Sequence, residues 1–161
     1  MTSEAAMRLQ VHMSEPGYPR QVWEAWEARR IMDEDLVELL PYAWLYSQEP
    51  ERVLATARWV TMFRAAGFLL LPTNLGRPTT PLRAFRGATE ARMTGMAWYL
   101  DRRDAAPISK RHARFGEAHI YVTTVPLEAM LAHLQRADEG PEIIVDPQLL
   151  GEIVQSKGDF A

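Results

Sequence analysis

The sequence predicts an α+β protein, with a helical N-terminal subdomain packed on a β-sheet core. Three observations point that way. Between residue 20 and Gly67, apolar residues recur at three- and four-residue steps, the period of a helix. Beyond Gly67 the pattern changes to short runs rich in β-branched and aromatic residues, punctuated by Pro and Gly. The helices come as a run and the strands follow with short helices among them, the order of an α+β chain.

Taken in order, residues 1–19 read as a flexible arm with Pro16, Gly17 and Pro19 near its end. Val22, Trp23, Trp26 and Arg30 then mark a first helix, and Leu36, Val37 and Leu40 a second. Pro41 suits the first turn of a third, which carries Trp44 and Leu45. Pro50 suits the first turn of the longest helix, with Val53, Leu54, Ala57, Val60 and Arg64 along one face and Gly67 ending it. These elements make a helical subdomain over 20–72.

The rest of the chain, 73–161, forms the second unit. Residues 67–71 already have the length of a strand, and 73–81 are a Pro/Gly-rich connector. Strands are expected at 82–87 and 97–100. Asp101 caps a helix over 102–114, whose interior Pro107 weakens. The clearest strand is 117–125. Pro126 opens a helix with Leu127, Met130, Leu131 and Leu134 on one side, and 142–145 form a last strand closed by Asp146 and Pro147.

Composition narrows the classes of function. With 47% hydrophobic residues in 161, there is enough apolar material for one core. The chain has no cysteine, which excludes disulfides and thiolate metal sites. No run approaches the ~18 apolar residues of a membrane span. The N-terminus lacks the basic start and apolar stretch of a signal peptide, so a cytoplasmic protein without membrane contact is expected. The net charge of −3 is unevenly spread. Residues 76–115 hold nine Lys or Arg against three Asp or Glu, and residues 116–161 hold two against eight. A basic middle suits an anionic ligand such as a pyrophosphate. Nucleic acid is the weaker alternative, because the overall balance is acidic.

Four stretches carry the chemistry. They are Leu82-Arg83-Ala84-Phe85-Arg86-Gly87-Ala88, Gly95-Met96-Ala97-Trp98-Tyr99-Leu100-Asp101-Arg102, the run from Ala118 to Ala132, and Pro141-Glu142-Ile143-Ile144-Val145-Asp146-Pro147. In this order they resemble the small ADP-ribosyltransferase-like proteins of actinobacteria and their phages, over about residues 78–147. The resemblance implies a split β-sheet core that holds NAD as substrate. It implies that Arg86 contacts the dinucleotide phosphate, that Ala97, Trp98 and Tyr99 line the nicotinamide pocket, and that Glu142 grips the ribose as the catalytic carboxylate. Gly87 would let backbone and ligand approach closely, and Trp98 or Tyr99 could stack on the nicotinamide ring.

The chemistry requires such groups. Breaking the nicotinamide–ribose bond builds positive charge on the sugar, which a nearby carboxylate stabilises. A pyrophosphate favours a planar, permanently charged guanidinium.

The sequence departs from the family pattern in three places. Ala97 stands where a hydroxyl residue is usual, and Tyr99 replaces a small Thr. Gly140 stands where arginine-modifying members carry Glu or Gln, with Glu139 nearby in a different register. The resemblance therefore implies mono-ADP-ribosyl transfer to an unidentified macromolecular target, a protein first, with arginine disfavoured by Gly140, or NAD hydrolysis. The competing expectation is a catalytically decayed binding protein, whose tryptophan-bearing helices (Trp23, Trp26, Trp44, Trp59) engage a partner protein. His12, His112, His119 and His133 lack zinc-like spacing, and the Lys110, Arg111, His112 and Arg114 cluster reads first as a basic helix end.

Overall fold

The computed structural model describes residues 2–157. Among them, five N-terminal helices precede a seven-stranded mixed sheet, and one further helix lies against that sheet. The fold is α+β.

Residues 2–19, expected as part of a flexible arm, instead hold a helix and turns packed on the core. Helix α1 (Glu4–Gln10) begins where the Ser3 side chain accepts from the Ala6 amide. Glu4 in its first turn and Arg8 in its last complement the helix dipole. Ala6 is fully buried, and Ala5, Leu9 and Met13 pack on the same core. Asp35, at the start of α3 (Asp33–Leu45), accepts from the backbone amides of Met32 and Ser3 and so ties α1 to α3. Pro16 and Gly17 mark the turn into α2 (Tyr18–Glu27), which has Pro19 in its first turn.

Two further helix boundaries differ from expectation. Pro41 does not start a helix but sits inside α3. A proline there forfeits a backbone hydrogen bond and would usually kink or break the helix. Here Leu36, Leu39, Leu40, Ala43 and Trp44 are all buried along α3, and this packing outweighs the loss. The long helix expected from Pro50 is a single turn, α4 (Pro50–Val53), followed by α5 (Thr56–Ala66). Leu54 breaks it by adopting an extended backbone that buries its side chain in the core. The Trp59 indole then donates to the Pro50 carbonyl at 2.9 Å, tying α5 back to α4.

The strands are β1 (Leu69–Leu71), β2 (Leu82–Thr89), β3 (Ala97–Tyr99), β4 (Ala118–Val125), β5 (Met130–Gln135), β6 (Pro141–Val145) and β7 (Val154–Gln155). They lie in the order β1-β5-β6-β3-β2-β4-β7. Only β1 and β5 run parallel; every other neighbouring pair is antiparallel. The helix expected from Pro126 is a correction. Residues Leu127–Ala129 form a 3-10 turn, and Met130, Leu131 and Leu134 belong to β5. A central strand buried on both faces reads as a continuous apolar run, so residues at 127, 130, 131 and 134 imitate a helical stripe.

The helical half and the sheet share one core. Trp44, Trp59 and Phe63 pack with ring centroids 5.1–6.0 Å apart. Met96, Leu131, Ala132, Leu134 and Ile144 join the same cluster from the sheet side. Strand β1, from within 20–72, is an edge strand of the sheet, so a boundary at residue 72 would cut one hydrogen-bonded unit.

The sheet has a narrow waist rather than a complete split. Strands β2 and β3 pair at a single position, Phe85 with Tyr99. Helix α6 (Arg102–His112), capped by the Asp101 carboxylate on the Arg103 amide, packs over β2 beside this waist. Gly87 permits that approach. A Cβ there would lie 2.3 Å from the Ser109 amide nitrogen and 2.4 Å from the Ala105 carbonyl oxygen, both in α6 backbone.

Candidate functional site

A pocket of about 720 Å³ opens beside the waist, a volume in the range of small-molecule sites. The helical half contributes one wall, from Trp44 at the end of α3 to Arg52 in α4. The sheet and α6 contribute the others. Arg86 and Gly87 on β2, Ala97 and Tyr99 on β3, and Glu142 on β6 all line it. Three stretches far apart in sequence thus meet in one cavity. Trp98 does not join them. Side chains alternate along a strand, so with Ala97 and Tyr99 on the pocket side, Trp98 is buried in the cluster on the opposite face. Its indole donates to the Gly95 carbonyl at 2.8 Å and anchors the loop before β3.

Glu142 is the most enclosed group. Alternation along β6 sends Ile143 and Val145 to the opposite cluster and leaves Glu142 on the side of Trp44. The carboxylate accepts from the Trp44 indole at 2.7 Å and lies 3.7 Å from Arg136. Burial pushes its pKa above the usual carboxylate value, while Arg136 and the Trp44 hydrogen bond pull it back. Arg136 in turn donates to the carbonyls of Leu45 and Ser47, closing the C-terminal end of α3. The helical half therefore helps to build the site.

Arg86 spans the waist. Its Nε donates to the Arg92 carbonyl at 3.1 Å and its Nη1 to the Ala97 carbonyl at 3.0 Å, while Nη2 lies 3.9 Å from the Glu51 carboxylate. Gly95 leaves room for this guanidinium, since a Cβ there would fall 2.3 Å from Arg86 Nη2. Glu51 also accepts from the Met96 amide and the Thr56 hydroxyl, so one carboxylate joins α4 and α5 to β3. Arg86 faces protein oxygens with all three of its nitrogens. Much of its hydrogen-bonding capacity goes to holding β2, β3 and α4 together.

A second carboxylate enters the pocket from a place the β-strand register did not suggest. Glu139 precedes β6, yet its side chain reaches back to accept from the Tyr99 hydroxyl at 3.2 Å and from Arg111 at 2.9 Å. Burial, and the carboxylates of Glu142 and Glu139, push the Tyr99 phenol well above its ordinary pKa, so it stays a donor. The Tyr99 hydroxyl thus helps to position Glu139.

At the pocket rim, Arg52, Arg92 and Arg114 surround Phe115, with guanidinium carbons 5.1, 4.2 and 4.5 Å from the ring centroid. Of this rim, Arg114 was marked by the basic cluster Lys110, Arg111, His112 and Arg114, read as a helix end, and Arg92 only by the basic balance of residues 76–115; Arg52 lies outside that segment. His112 stands beside Phe115, its Nδ1 buried and without a hydrogen-bond partner. Burial, with Arg86 and Arg92 nearby, lowers the His112 pKa below its ordinary value, so the ring is neutral at neutral pH. Among the tryptophans considered as a partner-binding set, Trp44 and Trp59 are buried. Trp23 and Trp26 are half-buried on α2, 5.6 Å apart.

Among the described residues, no helix is long and apolar enough to cross a membrane. Compared with known proteins, the chain matches no family model, no curated protein and no solved structure at a significant level.

Proposed function

We propose that the pocket binds NAD and that Glu142 promotes cleavage of its nicotinamide–ribose bond, which makes the protein an ADP-ribosyltransferase or an NAD glycohydrolase. The observation that carries this reading is the meeting of Arg86, Ala97, Tyr99 and Glu142 in one cavity, although they come from three separate strands. Their sequence stretches are those that resemble the ADP-ribosyltransferase-like proteins.

In the proposed step, the glycosidic C–N bond breaks and its electron pair leaves with nicotinamide. Positive charge builds on the ribose, and the Glu142 carboxylate stabilises it. The cationic nicotinamide ring of the substrate favours the ionised carboxylate and offsets the burial that opposes it. A nucleophile, either a target side chain or water, then bonds to the ribose carbon and gives up its proton. Glu139 is a second carboxylate in the same pocket and a candidate to accept that proton.

The test is nicotinamide release from NAD by the wild type and by Glu142→Gln. The wild type releases nicotinamide, and Glu142→Gln lowers the rate by about 10²-fold or more while leaving the fold intact. The second reading, a binding protein that has lost catalysis, is favoured by Ala97, which offers no hydroxyl at the pocket. Saturable NAD binding with no nicotinamide release by the wild type would establish it.

A further inference from the structure

We propose that the rim formed by Arg52, Arg92 and Arg114 around Phe115 is a diphosphate subsite, and that these residues, rather than Arg86, hold the pyrophosphate of the ligand. The inference rests on the NAD reading only for the identity of the nucleoside parts.

The first ground is an imbalance of charge. Three guanidiniums converge on one phenyl ring, and Glu49 is their shared carboxylate. It lies 2.9 Å from Arg52, 3.5 Å from Arg114 and 3.9 Å from Arg92. The hydrogen bond from Arg52, with the charges of Arg52, Arg114 and Arg92, holds the Glu49 carboxyl below its usual range against the opposing effect of burial. Like charges so close together repel, and one carboxylate cannot satisfy three forked donors. The cluster therefore carries excess positive charge that an anion would neutralise.

The second ground is where the cluster sits. All three arginines, and Glu49, line the 720 Å³ pocket. They arrive from three elements, α4, the 3-10 turn Glu90–Arg92 and the 3-10 turn Ala113–Phe115. Arg114 and Arg52 remain more than half exposed at the side chain, with free donor directions. Stacking on Phe115 restricts their rotamers before any ligand arrives, which lowers the entropy lost on binding. Arg86, by contrast, has 12% side-chain exposure and serves the Arg92 and Ala97 carbonyls. The third ground is that His112, which also lines the pocket, carries beside the ring a buried Nδ1 with no hydrogen-bond partner.

A diphosphate suits this arrangement better than a single carboxylate, because it offers two adjacent anionic groups to guanidiniums spread around one ring. The pocket leading inward from the rim leaves room for the remainder of a nucleotide.

Calorimetric titration with inorganic pyrophosphate, and separately with NAD, tests the assignment on the wild type, Arg92→Ala, Arg114→Ala and Glu49→Gln. The rim predicts saturable pyrophosphate binding that weakens roughly tenfold or more in each arginine variant. It also predicts tighter binding in Glu49→Gln, since that variant removes the competing carboxylate. A merely structural cluster would instead lose affinity in all three variants. NAD binding that is insensitive to Arg92→Ala and Arg114→Ala would overturn the rim assignment and leave the NAD reading standing. Rim-dependent pyrophosphate binding without any NAD binding would support the rim and overturn the NAD reading. No binding of either ligand would overturn both. Tighter, rim-dependent binding of a single-stranded oligonucleotide than of pyrophosphate would overturn the small-molecule assignment in favour of nucleic acid.

Discussion

Glu142 places a carboxylate almost completely out of water, held by one indole N–H and one guanidinium. Its pKa in the folded protein lies above the ordinary carboxyl value of 4.5 that it regains on unfolding. Between those two values the folded state binds the proton more tightly, so stability falls as pH rises through that window. Above the folded-state pKa the penalty is fully present. Glu142→Gln keeps an oxygen for the Trp44 indole and removes the charge. It is therefore expected to melt at a higher temperature than the wild type at neutral pH, with the difference vanishing below the ordinary carboxyl value; thermal unfolding followed across that range checks this. A wild type at least as stable as the variant at neutral pH would mean that Arg136 and Trp44 fully compensate the burial. Glu142 was singled out by the resemblance, whereas its local sequence says only that it precedes an Ile-Ile-Val strand. Trp98 was misplaced because the resemblance supplied a station on β3, and only strand alternation decides which side chain of Ala97-Trp98-Tyr99 faces the cavity. Glu139 was seen but set aside, because its position before β6 gives no hint that Tyr99 and Arg111 draw its carboxylate inward.

At the scale of elements, the contact of α6 with β2 depends on Gly87. Its neighbours are helix backbone, which cannot rotate away as a side chain would. Gly87→Ala is expected to destabilise the fold by about 3 kcal/mol or more, at the upper end of overpacking effects, as measured by denaturant unfolding. A loss below about 1 kcal/mol would show that α6 slides without cost. From the sequence, Gly87 was expected to serve a different task, close approach to a ligand. The need for a missing side chain was legible, but the element that requires it was not. Strands β3, β4 and β6 were found because β-branched or aromatic residues cluster there between turn residues, and β1 and β2 as short runs bounded by Gly and Pro. The N-terminal helix was missed because seven residues with two alanines carry little periodic signal, and its docking depends on Asp35, far along the chain. Strand β5 was missed because burial on both faces removes the alternation that identifies a strand.

For the whole molecule, the helical half supplies part of the site as well as half of the core. Trp44, Glu49, Glu51 and Arg52 reach the pocket from it, and Arg136 and Met96 bind back to it from the sheet. This joint construction could not be read from the chain, because it consists of contacts between residues as far apart as Trp44 and Glu142. The proposed function requires that the joint pocket receive NAD. Calorimetric titration of the unmodified protein with NAD tests it most directly. Saturable binding with a Kd below about 1 mM, equivalent to at least about 4 kcal/mol, is expected, with displacement of NAD by inorganic pyrophosphate. No heat of binding at that concentration, from protein shown to be folded, would contradict it.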